Sequence, residues 1–222
     1  MSGLRSTPLS EVVADSLRQS LKDGVYLCGE RLAESVIARE MNVSQNTARD
    51  ALGILEKEGW VSKQARRGVI VQMFSIDDVR ELYTLRATLE HLALGWSMEV
   101  MGEAHHTQLA KAISEARLQA GMGNRRGLRE AMFKFHEVIV EAAKKPQTAA
   151  FVHRLHNQCR LLENLRTTHD PRGEESNAQL ITEYGNLLTR IRYDERKVAC
   201  NLIHDMIMEE GRTLLPLLDL LR

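Results

Sequence analysis

The stretch "VSQNTARDALGILEKEGWV", Val43 to Val61, carries the pattern that decides the fold. Ser44 can accept a free amide of a first helical turn, and Gly59 suits the left-handed position that ends helices. Between them Ala48, Ala51, Leu52 and Leu55 recur at helical spacing, as a packing face requires. Gln45, Asn46, Thr47 and Arg49 crowd the first turns. A helix that only packs has no use for hydrogen-bonding side chains gathered at its tip. A helix that enters the major groove N-terminal end first does: Asn and Gln pair with adenine, and Arg with guanine, in two-pronged fashion.

The flanking residues extend this pattern. Upstream, Leu9 to Asp23 repeats apolar residues at Val12, Val13, Leu17 and Leu21, with Ser10 a candidate N-cap and Gly24 a candidate stop. Glu34 to Met41 repeats the pattern with Val36, Ile37 and Met41 inward, and "NV" is a tight turn. Downstream, "WVSKQ" and "GVIVQMF" flank "ARRG", a hairpin signal with a basic, glycine-containing tip. Helix, helix, turn, helix, hairpin predicts a winged helix-turn-helix over residues 1–74. Arg66 and Arg67 at the wing tip, with Gly68 letting the backbone come close, suit phosphates or the minor groove. Arg31, before the second helix, adds a phosphate or base contact. Taken singly, each residue reads as an ordinary solvated one; the ordered set points to DNA.

Past Phe74 the strand signals stop. Ser75 is a candidate N-cap for a long amphipathic helix, "IDDVRELYTLRATLEHLALGWSMEVM", with acids in its first turn. Helical stretches follow at His105 to Met122, Arg126 to Lys144, Gln147 to Thr168, Glu175 to Arg192 and Glu195 to Leu218. "GMGN", "KKPQ", "THDPRGEES" and "RYDE" punctuate them. Six helices on short loops predict an all-α antiparallel bundle over residues 75–222. The chain is thus mainly α.

Composition limits the function classes. The 222 residues carry 30 Lys plus Arg and 30 Asp plus Glu, a formal net charge of zero. Nucleic-acid binders are often basic overall, so charge placement rather than the sum must carry a DNA-binding role. The three cysteines, Cys28, Cys159 and Cys200, have no CxxC or Cys/His metal spacing and read as reduced thiols. No signal-peptide core and no transmembrane-length apolar run is visible, so the expected compartment is the cytoplasm, with no membrane partner. His105 and His106 read as a solvated helix start. Met98, Met101, Met206 and Met208 read as packing residues.

"GERLAESVIAREMNVSQNTARDALGILEKEGWV" followed by "RRGVIV" resembles the DNA-binding domain of the GntR family of bacterial transcription regulators. "IDDVRELYTLRATLEHLA" and "FHEVIVEAAKKP" resemble the C-terminal helical ligand-binding (FCD) domain of its FadR subfamily. The resemblance implies a winged-helix dimer on a palindromic operator. Where the family has serine, arginine, threonine, proline, this chain has Ser44, Gln45, Asn46, Thr47, so a guanine-contacting arginine of the family is Gln45 here. Arg49 matches its other recognition-helix arginine, Asp50 replaces its usual glutamate, and Gly68 matches the wing glycine.

Many members of this subfamily hold a divalent metal with one aspartate and three histidines inside the bundle. The resemblance places His136 at the first histidine and His204 at the third, while Met132 stands at the aspartate and Tyr184 at the second histidine. His136 and His204 would be the remaining ligands of a degraded site. Two imidazoles leave a divalent ion short of protein ligands, and a thioether is weak for zinc or manganese. No metal and no other cofactor is expected. The alternative for the two histidines is a core pair, hydrogen-bonded with the Tyr184 hydroxyl. Arg86 matches an arginine of the family's first bundle helix. It suits an effector carboxylate or, equally, a salt bridge to Glu90 one turn on.

The expected function is a cytoplasmic, homodimeric transcription regulator, a repressor. It binds double-stranded operator DNA and is controlled by a small carboxylate held by Arg86, Met132, His136, Tyr184 and His204. Two rivals remain. In one the bundle only dimerises. In the other the chain is a metal-dependent helical enzyme, against which stand the missing carboxylate and the lack of a nucleophile–base pairing.

Overall fold

The computed structural model describes residues 7–169 and 173–221. Of the segment "THDPRGEES", read above as a loop, residues 170–172 lie outside the described ones. The chain divides into two compact units, Met1–Phe74 with Asn157–Asn164, and Ser75–His156 with Leu165–Arg222.

The first unit holds α1 (Leu9–Lys22), α2 (Glu34–Glu40), α3 (Gln45–Lys57), β1 (Val61–Gln64) and β2 (Gly68–Val71). Helix α1 begins one residue before Ser10, with Pro8 at its N-cap and no side-chain cap bond. The Ser10 cap is therefore a correction: proline, lacking an amide proton, suits a helix entrance better than an interior serine. Ala14, Leu17 and Leu21 of α1 and Ala48, Ala51, Leu52 and Leu55 of α3 are buried, and with Trp60 and Val71 they form one core. Val36, placed inward by the sequence pattern, is 38% exposed, and Val12, counted in the apolar repeat of the first helix, is 50% exposed; Val13 and Ile37 of the same patterns do lie in the core.

Helix α3 starts where the sequence placed it. The Ser44 hydroxyl accepts from the Thr47 amide at 3.1 Å. Asn42 takes φ +52 in the α2–α3 turn, and Gly59 takes φ +85 just past the end of α3. Arg18 of α1 grips the Glu58 carboxylate through Nε and Nη2, each at 2.8 Å, and so ties α1 to the end of α3. Strands β1 and β2 pair antiparallel, Val61 opposite Val71 and Gln64 opposite Gly68. The segment before α2 lies along β2: Leu32 donates to the Val69 carbonyl at 2.9 Å, Val71 to the Glu30 carbonyl at 2.8 Å. That pairing draws Arg31 to the wing.

The second unit holds α4 (Ile76–Ser97), α5 (Glu103–Gly121), α6 (Arg125–Ala142), α8 (Gly173–Arg192) and α9 (Arg196–Leu214), ending in a 3₁₀ segment, Leu215–Leu221. Helix α7 (Pro146–His169) contributes to both units. Ser75 and Asp78 close a capping box at the start of α4, each side chain bonded to the other residue's amide. Helix α4 packs on α6 and α9, α5 on α6 and α8, and α8 on α9. Gly211 of α9 lets Tyr83 of α4 close in: a Cβ there would lie 2.6 Å from the tyrosine ring.

Candidate functional site

In the first unit the candidate recognition face is assembled from three elements. Gln45, Asn46 and Arg49 stand exposed on the first turns of α3. Thr47 is half-buried, and its hydroxyl lies 2.8 Å from that of Ser44. These two residues therefore build the helix start, leaving Gln45, Asn46 and Arg49 to face outward. Arg66 and Arg67 are exposed at the hairpin tip, with Arg66 at φ +67 and Gly68 at φ +77. Arg31 comes beside the wing, and a Cβ on Gly68 would lie 3.7 Å from its Nε. A groove of about 340 Å³ runs between these pieces, lined by Arg31, Glu34, Gln45, Lys63 and Gly68 among others. Of the residues the sequence singled out, Arg31, Gln45 and Gly68 line the groove, Asn46, Arg49, Arg66 and Arg67 are exposed, and Ser44 and Thr47 are engaged in the helix start. Lys63 and Glu34 were missed. Lys63 is exposed on β1 although it stands two residues from the buried Val61, so strand alternation does not single it out; Glu34 reads in sequence as an ordinary first-turn acid.

In the second unit the interior carries a buried polar cluster. Glu90 of α4 is fully buried and accepts three bonds: from Arg86 Nε at 2.7 Å, from His156 Nε2 at 2.8 Å, and from His136 Nδ1. Burial alone would raise the Glu90 carboxyl. His136, Arg86 and His156 outweigh it and hold the group well below the usual carboxylate range. Arg86 is itself buried and reaches Glu210 of α9 through Nη1 at 2.8 Å. Its guanidinium carbon lies 5.4 Å from the Phe133 ring centre. Burial pushes the His156 imidazole down to about 4, against the pull of Glu90, so it is neutral at pH 7 and donates through Nε2. Burial likewise drives the Tyr184 phenol well above its ordinary value. It keeps its proton and donates to His136 Nε2 at 2.5 Å. The core-histidine alternative thus describes His136, and the salt-bridge alternative describes Arg86.

His204 is the correction. It is half-buried on α9, bonded to Asp205 at 3.1 Å and edge-on to His91 at 6.3 Å. The side of α9 turned to the cluster carries Ile203, Met206, Ile207 and Glu210. His204 lies one residue past Ile203, about 100° around a helix of 3.6 residues per turn. Met132 is buried one turn before His136, as the resemblance placed it. The donors do not fit the divalent metal that many members of the subfamily hold: Met132 brings no charge, Tyr184 holds its proton, and both His136 nitrogens are engaged. Among the described residues no group of three or more His, Cys, Asp or Glu side chains could hold an ion. His156, Glu90 and Glu210 were not among the predicted site residues. Glu90 is readable one turn from Arg86, whereas His156 belongs to no motif.

Beside this cluster lies a cavity of about 110 Å³, lined by Arg129, Arg166, Gln179, Glu183, Met206 and Glu210 among others. Arg166 is buried and donates to the Glu210 carbonyl and the Thr213 hydroxyl at 2.8 and 2.9 Å. Glu210 therefore joins the cavity wall to Arg86. Burial raises its carboxyl, but Arg86, His136, Arg129 and Arg166 together hold it low, so it is charged.

A winged helix with a basic hairpin, followed by a helical bundle around a buried ionic cluster, defines a DNA-binding transcription regulator. The chain matches the model of bacterial regulatory proteins of the gntR family over residues 9–71 and the FCD domain over residues 81–207. It belongs to the GntR family of regulators with an FCD domain, and not to a family of enzymes. It is 24% identical over 220 residues to the HTH-type transcriptional regulator YdhC of Bacillus subtilis, covering 94% of this chain and 96% of that one. The Exu regulon transcriptional regulator of Escherichia coli is 41% identical over 64 residues, 28% of this chain and 25% of its own. The gluconate operon transcriptional repressor of Bacillus subtilis is 27% identical over 130 residues, 59% of this chain and 53% of its own. In fold the chain is similar to a GntR regulator from Rhodococcus sp. RHA1, with TM-score 0.81 and 22% identity, covering 95% of this chain and 99% of that one. It is also similar to Escherichia coli McbR/YncC, with TM-score 0.82 and 17% identity, covering 95% and 98%. Among the described residues no helix is long and apolar enough to cross a membrane.

Proposed function

We propose that this regulator is a homodimeric, cytoplasmic repressor. Residues 1–74 bind a palindromic operator, and residues 75–222 dimerise and bind a small carboxylate metabolite. On DNA, Gln45, Asn46 and Arg49 read base edges from the start that Ser44 and Thr47 build, and Arg31, Arg66, Arg67 and Gly68 meet phosphates or the minor groove. The repressor sign is supported by the relative whose name is gluconate operon repressor. Dimerisation is supported by α4, where Leu85, Leu89, Leu92 and Trp96 share one helical side and Leu85 and Leu92 are 46% and 43% exposed. Glutamate at both Leu85 and Leu92 should turn a dimer into a monomer by light scattering.

The observation that carries the effector proposal is Glu210. Its side chain is 15% exposed, lines the cavity and holds the second prong of Arg86. An incoming carboxylate meets Arg129 and Arg166 and competes with Glu210 for Arg86. Loss of the Arg86–Glu210 bridge loosens α9 from α4, and His136, Tyr184 and Met132 transmit the change as the packed shell behind it. Thermal melting of the full chain with gluconate and other small carboxylates tests this. A binder present at a hundred times its dissociation constant stabilises by about 2.7 kcal/mol and should weaken binding to operator DNA.

A second proposal has its own support. Glu90 accepts from Arg86, His136 and His156, so the polar groups at the centre of the bundle satisfy one another. That favours a bundle that only dimerises. No shift with any carboxylate, and operator affinity indifferent to all of them, would decide for it.

A further inference from the structure

Arg49 of α3 is held by a residue of α2. Its Nε lies 3.1 and 3.2 Å from the two carboxylate oxygens of Glu34, and its Nη2 lies 2.9 Å from one of them. The third nitrogen, Nη1, leans toward the Asn46 side-chain oxygen at 3.5 Å. The Arg49 side chain is nonetheless 60% exposed, and that of Glu34 32%. A guanine presents two acceptors in the major groove and needs two N–H groups from one edge of a guanidinium. With the Nε–Nη2 edge given to Glu34, the Nη1–Nη2 edge is the one left to face a base.

We infer that Glu34 is the specificity-determining positioning residue of the recognition face: it fixes the edge with which Arg49 reads a base and selects against binding where that base is missing. This rests on the proposal that the first turns of α3 enter the groove. A loose arginine has many rotamers and can swing to the nearest phosphate, a contact that gives affinity without sequence information. Held by Glu34, Arg49 can take a phosphate through its Nε–Nη2 edge only by breaking the fork. A guanine met through the other edge leaves the fork whole. Glu34 also puts a negative charge in the groove that Arg31 and Lys63 line. Bonding to Arg49 pulls its carboxyl below the ordinary range, so that charge is present at neutral pH. Repulsion from DNA phosphates is then offset only when Arg49 finds its base, a repulsive element of the kind that separates right from wrong partners.

The test uses the full chain and duplexes that the wild type selects from random DNA. Dissociation constants are measured at one salt concentration for the selected duplex, a scrambled duplex, and every single-pair change. Wild type should lose about 5- to 150-fold at one G·C pair read by Arg49. Glu34→Ala should reduce that loss to about threefold or less, leave discrimination at the other pairs unchanged, and bind the scrambled duplex more tightly. Glu34→Gln, which keeps one acceptor but no charge, should also bind the scrambled duplex more tightly and fall between at the G·C pair. In an Arg49→Ala background, Glu34→Ala should do nothing further at that pair. Full discrimination in Glu34→Ala, or an even loss at all pairs with a lowered melting temperature, overturns the inference. If Arg49→Ala itself leaves every pair's discrimination intact, the placement of α3 is wrong and the role of Glu34 falls with it.

Discussion

The Tyr184 hydroxyl lies 2.5 Å from His136 Nε2, with both side chains about 1% exposed. The bond joins α8 to α6 and fixes the imidazole that serves Glu90 on its other side. Tyr184→Phe removes the donor and leaves a ring nitrogen buried without one. The expected cost is about 1–3 kcal/mol, the desolvation penalty of an unmet buried polar group. Urea unfolding measures it. An unchanged midpoint would mean that the hydroxyl contributes nothing there.

Acidification should destabilise the bundle, and the sign follows from His156. Its pKa is about 4 in the fold, below the usual 6.5, so the unfolded chain binds more protons between those values. Stability present at neutral pH is lost as pH falls from roughly 6.5 toward 4, by roughly 3 kcal/mol from this group. Glu90, also held low, adds a loss of the same sign further down, as pH falls through its folded value. His156→Gln keeps a donor toward Glu90 without the titration and should flatten the slope above pH 4. Stability that rises on acidification in the wild type would contradict the buried neutral histidine.

Metal content offers a test of the α9 register. Met132→Asp with Tyr184→His places a carboxylate and a second imidazole beside His136, three protein ligands as in catalytic zinc sites. His204 faces Asp205 and His91 instead. Zinc gained by the double variant should therefore vanish on adding His136→Ala and persist on adding His204→Ala. Elemental analysis reads both. Zinc lost with His204→Ala would place that histidine inside.

Much of the architecture could be read in advance, for local reasons. Ser44, Ser75 and Gly59 mark helix ends through bonds and backbone angles that each residue type makes on its own. The wing followed from a β-branched run on one side of a basic, glycine-containing tip. The interior was less legible. His204 matches a motif in sequence, yet a one-residue step on a helix turns a side chain by about 100°. Motif spacing does not fix which side faces in. His156 and Glu90 lie 66 positions apart and meet only through packing. Glu34 and Arg49, 15 positions apart, look like two unrelated surface charges until the turn folds α2 against α3.

Selective DNA binding is the direct test of the central claim. The affinity of the full chain for a duplex selected from random DNA is compared with that for a scrambled duplex at physiological salt, by fluorescence anisotropy. A ratio on the order of a thousand or more is expected for an operator-reading regulator. Arg67→Ala should weaken both affinities alike and lower the salt slope by roughly one unit, as loss of a phosphate contact does. Equal affinity of the wild type for the two duplexes would contradict the assignment of Gln45, Asn46 and Arg49 to base recognition.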